Sequence, residues 1–308
     1  MNITMNFLLS KEDLIMKVGI SAYSFHRCNP ALPIFEILEK IKEIGATAVD
    51  FIPALKAEGK NIDLEMATRI KAKLDELGLE PACYCQDAEF FGDRGVDGEK
   101  ERIINECLPI AKELGCPVMR IDVTFRHLPA TELNRSYDRI IELVAPAFRE
   151  IAQAAEDMGI KLCTENHGRI SQAADRIAKL IHTVAHKNFG ALIDMGNFTG
   201  IDGDHIQSVS TLAGNAFHVH AKDLFIRNGM LENPGRGYGL TRGCNYARST
   251  IVGHGNVPIK QCLKILKNVG YNGYVSIEFE GIEDPILGNE IGCENLIRYL
   301  KEIEAYEN

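Results

Sequence analysis

Short apolar runs alternate with amphipathic stretches along this chain of 308 residues. Four runs in the first half have the length and composition of buried β-strands: KVGISAY (17–23), ATAVDFI (46–52), LEPACYC (79–85) and CPVMRID (116–122). Each is followed by a stretch whose apolar residues recur at helical spacing, and several of these stretches end in a glycine, which is favoured after helices. The pattern therefore predicts four strand–helix units.

The second half repeats this alternation. Four more strands are predicted at GIKLCTE, NFGALID, NAFHVH and GYVSIE, and helical segments near 171–186, 202–212, 258–269 and 290–304. Eight such units without a Pro- or Ser-rich linker predict an α/β fold with one domain, a (β/α)8 TIM barrel over residues 16–308. An open dinucleotide-binding sheet is not favoured, because SAYSFHRC after the first strand lacks the glycine-rich fingerprint.

Two segments fall outside this repeat. Residues 1–15 are predicted to be an N-terminal extension, since Met16 directly precedes the first strand, and they lack the features of a signal peptide. Residues 224–250 form a long Gly- and Arg-rich connection after the seventh strand, where a lid or a substrate loop is expected.

Composition narrows the function classes. A hydrophobic content of 45% with 25% charged residues is typical of a soluble globular enzyme, and a net charge of −9 argues against nucleic-acid binding. No apolar run is long enough for a membrane span. Nine cysteines without a CxxC motif indicate reduced thiols and a cytoplasmic protein. A small-molecule partner is expected, and a homo-oligomer stays open.

The four strands of the second half each end in a residue that can bind a divalent metal: Glu165, Asp194, His220 and Glu278. The C-terminal ends of barrel strands meet at one face, so these side chains are predicted to lie together. An oxygen-rich set with one imidazole suits a single Mn, Mg, Co or catalytic Zn ion. Taken one at a time, each acidic residue could instead be a helix cap or a solvated loop residue.

Other polar residues near strand ends are candidates for substrate binding: Asn197, His218, Lys222, His26, Gln86 and Asp122. Each has a structural alternative as a cap, an ion pair or a buried hydrogen-bonded group. His167, two residues after Glu165, is a candidate catalytic base. The arginines of the 224–250 connection could bind a phosphate or a sugar acid, so a phosphorylated substrate stays open.

The segments TENHG, IDMGN, HVHAKD and YVSIEFEG resemble the xylose isomerase-like TIM barrel superfamily, and the strand order extends the resemblance over residues 17–305. More narrowly, the chain resembles the sugar phosphate isomerase/epimerase group (AP endonuclease family 2-like), which shares its barrel with endonuclease IV. In the ketose 3-epimerases of this superfamily the four strand-end residues bind the metal. The resemblance implies that Glu165 and Glu278 also exchange protons with the sugar carbon.

Two departures limit the resemblance. The epimerases carry a histidine three residues after the metal-binding aspartate, where this chain has Asn197. The segments DFIPA and CYCQD contain none of the extra histidines that a trinuclear nuclease site requires. A nuclease is therefore not expected, and contacts to substrate hydroxyls near Asn197 are expected to differ from those of the epimerases.

The resemblance implies a metal-dependent isomerase or epimerase acting on a keto sugar or sugar phosphate by proton transfer α to a carbonyl. One alternative is a lyase of the same superfamily, either an inosose dehydratase or an enzyme that eliminates a substituent from a 3-keto glycoside. Another is a non-catalytic sugar-binding subunit. Isomerisation, epimerisation and elimination begin with the same proton abstraction, and the sequence does not choose among them.

Overall fold

The computed structural model describes residues 15–55, 58–124, 136–168 and 170–305. The strands are β1 (Lys17–Ser21), β2 (Ala48–Phe51), β3 (Ala54–Leu55), β4 (Lys60–Asn61), β5 (Glu80–Gln86), β6 (Val118–Ile121), β7 (Lys161–Glu165), β8 (Phe189–Asp194), β9 (Ala216–Ala221), β10 (Asp223–Arg227), β11 (Gly239–Leu240), β12 (Tyr246–Thr250) and β13 (Tyr274–Ile277). The helices are α1 (Ile34–Ile44), α2 (Leu64–Leu77), α3 (Gly95–Arg102), α4 (Leu108–Leu114), α5 (Tyr137–Asp157), α6 (Ala174–Val184), α7 (His205–Leu212), α8 (Ile259–Asn268) and α9 (Pro285–Ala305).

Eight of these strands close into a parallel barrel in the order β1–β13–β9–β8–β7–β6–β5–β2. The (β/α)8 prediction is therefore confirmed, and each barrel strand falls on one of the eight predicted apolar runs. The four strands of the second half are direct neighbours, with β7 pairing β8, β8 pairing β9 and β9 pairing β13. Their C-terminal ends consequently surround one half of the barrel mouth.

The helices follow the predicted periodicity and pack their apolar faces on the barrel. In α1 the buried residues Ile34, Ile37, Leu38 and Ile41 are spaced at three or four residues. Helix α2 begins at the N-cap Asp63, whose side chain accepts a hydrogen bond from the Met66 N–H. Because such capping signals can be recognised in the sequence, the predicted helix positions lie close to those in the structure.

The 224–250 connection is not an extended loop. Strands β10, β12 and β11 form an antiparallel sheet in that order. Its turn is held by Asp202, whose carboxylate accepts hydrogen bonds from the Thr241 hydroxyl at 2.7 Å and the Asn245 side-chain amide at 2.8 Å. At the other end of the sheet, the Asp223 carboxylate accepts hydrogen bonds from the backbone N–H groups of Gly253, Gly255 and Val257. The insertion is thus an ordered subdomain anchored at both ends.

The start of the described chain is tied to the barrel. Met16 is 1% exposed and packs in the main core. The predicted extension 1–15 lies, apart from Ile15, outside the described residues. The nine cysteines all lie within the described residues and form no disulfide bond, and Cys83, Cys85 and Cys163 form part of a small cluster separate from the main core. No helix in the described ranges is long and apolar enough to cross a membrane.

Candidate metal centre and substrate cleft

Glu165, Asp194, His220 and Glu278 come together at the C-terminal end of the barrel. Each offers one ligand atom, and these four atoms lie within 4.8 Å of one another. Glu165 and Asp194 are the last residues of β7 and β8, His220 lies in β9, and Glu278 directly follows β13. We call these four residues the carboxylate–histidine cluster.

Asp194 is held by the turn that follows its own strand. Its Oδ1 accepts the backbone N–H of Gly196 at 2.7 Å and that of Asn197 at 2.9 Å. The side chain of Asn166 bonds both the N–H and the carbonyl of Asp194, at 2.8 and 2.9 Å. These contacts fix the carboxylate and leave Oδ2 as the atom that faces the cluster.

Glu165 lies between an amide and a buried guanidinium. Its Oε1 accepts a hydrogen bond from Asn197 Nδ2 at 3.0 Å, and its Oε2 lies 3.0 Å from Arg120 Nε. Arg120 is 5% exposed and also pairs with Asp122. Sequence reasoning missed Arg120, although an arginine inside the apolar run CPVMRID was a usable signal, because a buried guanidinium requires carboxylate partners.

His220 presents one ring nitrogen to the cluster and the other to the barrel interior. Its Nδ1 lies 3.7 Å from Glu278 Oε1, 3.9 Å from Glu165 Oε1 and 4.0 Å from Asp194 Oδ2. Its Nε2 donates to Asp50 Oδ2 at 3.1 Å, and the same oxygen accepts His218 Nε2 at 2.8 Å. Burial alone would raise the pKa of Asp50, but the charges of the two histidines and their hydrogen bonds lower it. Asp50 was not predicted either.

Lys222 is the cation nearest to the cluster carboxylates. Its Nζ lies 2.5 Å from Glu278 Oε2, 3.3 Å from Asp194 Oδ2 and 3.4 Å from Glu280 Oε2, and it donates to Asn197 Oδ1 at 3.2 Å. Burial favours the neutral amine, but the charges of Asp194 and Glu278 raise the pKa of Lys222 well above its usual value. The side chain is therefore an ammonium ion within a group of carboxylates.

The cluster still carries excess negative charge. Burial, together with the charges of Glu278 and Glu165, raises the pKa of Asp194 to about 7 despite the opposing charge of Lys222. A buried carboxylate with a raised pKa is one whose charged form lacks sufficient compensation. A second positive charge at this position would therefore stabilise the ionised cluster.

The donor set fits a divalent cation. Asp194 Oδ2 and His220 Nδ1 are buried atoms without a hydrogen bond among the described residues. Buried polar atoms normally have a partner, so converging atoms that lack one indicate a bound ion. Three carboxylates and one imidazole suit Mg, Mn, Co or Zn.

Two other groups of potential ligands overlap this cluster. One group consists of Asp50, His218 and His220. Its carboxylate already accepts hydrogen bonds from both imidazoles, and these bonds explain the close approach of the three side chains without a metal. In Asp122, Glu165 and His167 the Arg120 guanidinium already pairs with both carboxylates. In the carboxylate–histidine cluster Asp194 Oδ2 and His220 Nδ1 have no hydrogen bond among the described residues, so this group is the best candidate metal site of the three.

A polar cleft opens above the cluster. Its charged or ionisable side chains include Asp87, Arg120, Glu165, His167, Lys222, Glu278 and Glu280. Within the described chain, none of the residues lining this cleft comes from the β10–β12–β11 sheet, which was expected to supply a lid or a substrate loop.

His167 lies in the cleft with Asp122 behind it. His167 Nδ1 is 3.5 Å from Asp122 Oδ1. Burial would lower the pKa of His167, but the hydrogen bond to Asp122 and the charge of Glu165 raise it to about 9. A ring that holds its proton at neutral pH is suited to donate one, and the catalytic role expected of His167 stays a prediction.

The residues predicted to bind substrate do not all lie at the polar cleft. Lys222 lines the cleft, and Asn197 lies just below it, bonded to Glu165 and Lys222. Asp122 is buried behind Arg120.

Three residues that were predicted to bind substrate do not line the polar cleft, and their role in substrate binding stays a prediction. His218 is fully buried on Asp50, beneath His220, because two histidines at alternate positions of β9 share one carboxylate. Gln86 donates to the Asp87 carbonyl at 2.7 Å and lines a neighbouring groove, which shares Pro53, Ala54 and Asp87 with the cleft. His26 stacks on the Tyr23 ring and lines a neighbouring apolar pocket.

Comparison with known families gives an independent result for seven of the eight barrel strands, β2 to β13. The family model for xylose isomerase-like TIM barrels matches residues 38–303. All four residues of the carboxylate–histidine cluster fall within the matched range.

Curated relatives cover most of the chain at modest identity. An uncharacterized protein of Methanocaldococcus jannaschii is 28% identical over 93% of this chain and 92% of its own length. The rhizopine catabolism protein MocC of Rhizobium meliloti is 27% identical over 74% of this chain and 72% of its own length. An inosose dehydratase of Histophilus somni is 24% identical over 72% of this chain and 76% of its own length.

Solved structures share the architecture. An L-ribulose 3-epimerase superposes with a TM-score of 0.71 at 14% identity, covering 95% of this chain and 97% of that one. A xylose isomerase-like TIM barrel protein of Mycobacterium smegmatis, solved in complex with magnesium, has a TM-score of 0.69 at 15% identity, covering 96% and 99%. At these identities the likeness establishes the fold alone.

Proposed function

Because the chain belongs to the xylose isomerase-like TIM barrel family, we propose that it is a divalent-metal-dependent isomerase or epimerase of keto sugars. The observation that carries this proposal is the carboxylate–histidine cluster, whose four ligand atoms lie within 4.8 Å of one another at the base of a polar cleft. The magnesium complex of a protein with the same fold supports a cation at such a site.

Glu165 and Glu278 are the proposed proton-transfer groups. They extend from β7 and from the end of β13, on either side of Asp194 and His220, and both line the cleft. A sugar carbon held between them would have one carboxylate available to remove a proton and another to return it. A divalent ion held by the cluster would supply a Lewis acid that stabilises negative charge on the carbonyl oxygen.

The surrounding cations position these glutamates. Arg120 holds Glu165 from one side through Oε2, and Lys222 holds Glu278 through Oε2 at 2.5 Å. Lys222 also lines the cleft, where its ammonium group can donate hydrogen bonds to substrate hydroxyls. Asn197 links the two sides, since it donates to Glu165 and accepts from Lys222.

A dehydratase is the second candidate, and His167 favours it. Its imidazole lies in the cleft with Asp122 behind one ring nitrogen, an arrangement that suits donation of a proton to a departing hydroxyl. The inosose dehydratase among the relatives supports this reading. Elimination begins with the same proton abstraction, so both candidates use the same cluster.

Hydrogen exchange in heavy water tests the proposal. The manganese-loaded protein is incubated with a panel of ketoses and inososes, and NMR follows deuterium incorporation next to the carbonyl. We expect exchange with at least one sugar, and product identity separates isomerisation, epimerisation and dehydration. Glu165→Gln and Glu278→Gln should each slow the reaction by about 10²–10⁴-fold at saturating manganese.

Glu80→Gln is the matched control, since Glu80 lies at the opposite end of the barrel, at the start of β5, paired with Lys17. This variant should retain the wild-type rate. Undiminished exchange after complete removal of metal by a chelator would contradict the proposal. Wild-type exchange in both glutamine variants of the cluster would contradict it as well.

A further inference from the structure

One face of the β10–β12–β11 sheet points away from the main core. Leu224 packs against that core, so the side chains of β10 that share its face point toward the barrel. Phe225 and Arg227 alternate with Leu224 and therefore lie on the opposite face. Tyr246 pairs with Arg227 and with Leu240 across the sheet, so these two residues lie on that face as well. We call it the outer face.

Exposed apolar side chains concentrate around the outer face. Nine large apolar side chains are exposed among the described residues, and five of them lie within 230–240 or 282–290: Met230, Leu231, Leu240, Ile282 and Leu287. The two segments adjoin, because a Cβ at Gly237 would lie 3.7 Å from Ile282 Cγ2 and the Thr250 hydroxyl donates to Glu283 Oε1 at 2.9 Å. The outer face and residues 282–290 therefore form one surface, which we call the outer patch. A contiguous exposed apolar surface of this kind marks an interaction site.

The outer patch has a basic half and an acidic half. Residues 224–250 contain four arginines and a single acidic residue, Glu232, in a chain whose net charge is −9. On α9, Glu290 and Glu294 are exposed and follow Leu287 at helical spacing, so they lie on the same side of the helix. Neither Arg227 nor Glu290 forms an ion pair with the described residues. Both charges are therefore available to a partner.

From this arrangement we propose that the outer patch is a homodimer interface, in which the basic sheet of one copy packs against the acidic start of α9 in a second copy of this chain. A two-fold dimer uses the same patch on both subunits, so a patch with one basic and one acidic half is complementary to itself. A partner of uniform charge, such as a nucleic acid, would meet like charge over one half. The exposed apolar side chains become the buried centre of the interface, surrounded by the charged groups.

Sedimentation velocity of the full-length protein over a wide concentration range tests the proposal. The wild-type protein should sediment as a dimer at micromolar concentration. Leu240→Glu places a charge at the centre of the interface and should weaken the dimer by about 100-fold, and the 65% exposure of Leu240 makes the substitution compatible with folding. Leu64→Glu is the matched control on α2, where Leu64 is 52% exposed, and should dimerise like wild type. Equal dimer affinity in all three proteins would overturn the proposal.

A charge reversal tests which surfaces meet. Arg227→Glu and Glu290→Arg should each weaken the dimer by about 10-fold, because each brings like charges together across the interface. The double variant exchanges the two charges and should recover most of the wild-type affinity. Arg139→Glu, at an arginine of α5 that is 58% exposed, should leave the dimer unchanged. A double variant that dimerises no better than the weaker single variant would overturn the pairing of sheet and helix.

The dimer test is independent of the proposed function, since Leu240, Arg227 and Glu290 do not line the polar cleft. A wild-type protein that stays monomeric at every concentration would show that the outer patch does not bind a second copy, and the proposal would then fail. If Leu240→Glu does not fold, the charge-reversal series at exposed positions decides the question alone.

Discussion

Asp50 Oδ2, on β2, accepts a hydrogen bond from Nε2 of His220, on β9, at a distance of 3.1 Å across the barrel interior. Both side chains are fully buried. A carboxylate behind a metal-binding imidazole fixes the ring orientation and keeps the proton on the nitrogen that faces away from the metal. His220 is thereby positioned with Nδ1 toward the three carboxylates, and the orienting group comes from a strand that contributes no ligand of its own.

Asp50→Asn should weaken metal binding by about 10–100-fold, because a neutral amide lacks the negative charge with which the carboxylate orients the His220 imidazole and raises its basicity. Calorimetric titration of the apo-protein with manganese measures this. Asp202→Asn makes the same change between β8 and α7, at a carboxylate that holds the turn of the β10–β12–β11 sheet through Thr241 and Asn245. That control should keep the wild-type affinity, and an equal loss in both variants would contradict the role of Asp50.

Lys222→Met should destabilise the metal-free protein far more than the metal-bound one. Without the ammonium group, Asp194 and Glu278 face one another uncompensated, and breaking such a buried pair costs about 3 kcal/mol. A bound divalent cation replaces the missing charge, so manganese should recover most of this loss. Thermal unfolding with and without manganese measures the difference.

Lys187→Met is the control for this prediction, since Lys187 is a surface lysine paired with Glu156 and 81% exposed. Exposed ion pairs contribute about 0–1 kcal/mol, so this variant should unfold close to wild type in both conditions. If Lys222→Met lost the same amount of stability with and without manganese, the bound metal would not replace the charge of the Lys222 ammonium group.

The sequence predicted the fold and the cluster because both depend on local signals. Alternating apolar runs and helix-terminating glycines specify the barrel, and residues such as Asp194 stand at the ends of strands where a barrel brings them together. Asp50 and Arg120 were missed because their partners lie on other strands, and a charged residue within an apolar run does not by itself identify its counterion. The position of His218 depends on the same long-range contact.

Arg120→Met should lower the free energy of unfolding by about 3–5 kcal/mol, because it leaves Asp122 and Glu165 without their shared cation. Adding Asp122→Asn should recover part of this loss, since one of the two uncompensated charges is removed. Urea unfolding of the single and double variants measures the coupling. Arg298→Met, at a pair in which the arginine is 54% exposed, is the surface control. Strictly additive losses in the double variant would argue against a shared ion pair.

Glu99→Gln should change the pH dependence of stability. The Glu99 carboxylate is buried in α3, where it accepts hydrogen bonds from Arg102 at 2.6 Å and from the Glu89 N–H at 3.1 Å. Burial alone would raise the pKa of Glu99, but these two hydrogen bonds lower it below the ordinary value of 4.5. A carboxylate whose pKa is lower in the folded state stabilises the protein at pH values above its unfolded-state pKa. This stabilisation is lost as the pH falls through the folded-state pKa.

The glutamine variant should therefore be less stable than wild type by about 1–3 kcal/mol at neutral pH, with the difference shrinking once the pH falls below 4.5. Urea unfolding across the acidic range follows this difference. Glu106→Gln, at an exposed position in the π-helical segment Ile103–Cys107 between α3 and α4, is expected to stay within about 0.5 kcal/mol of wild type. A difference for Glu99→Gln that is constant at every pH would contradict the assignment.

Gly196 lies where the turn after β8 contacts the backbone of Lys222. A Cβ at this position would lie 2.7 Å from the Lys222 carbonyl oxygen and 2.8 Å from its Cγ. Because the Gly196 N–H also donates to Asp194 Oδ1, a shift of this turn would move a cluster carboxylate and Lys222 together. We expect Gly196→Ala to cost about 1–3 kcal/mol of stability, as overpacked sites do, and to weaken manganese binding as well.

Gly203→Ala provides the matched comparison, because a Cβ there would lie 3.4 Å from the Phe198 carbonyl oxygen and 3.5 Å from Ile201 Cδ1, ordinary contact distances. It tests the same substitution a few residues further along the chain. Titration with manganese and urea unfolding of both variants separate the two effects. If Gly196→Ala loses stability but binds manganese like wild type, the turn supports the fold without positioning Asp194. If both alanine variants lose affinity equally, the effect belongs to the segment as a whole and not to the contact between Gly196 and Lys222.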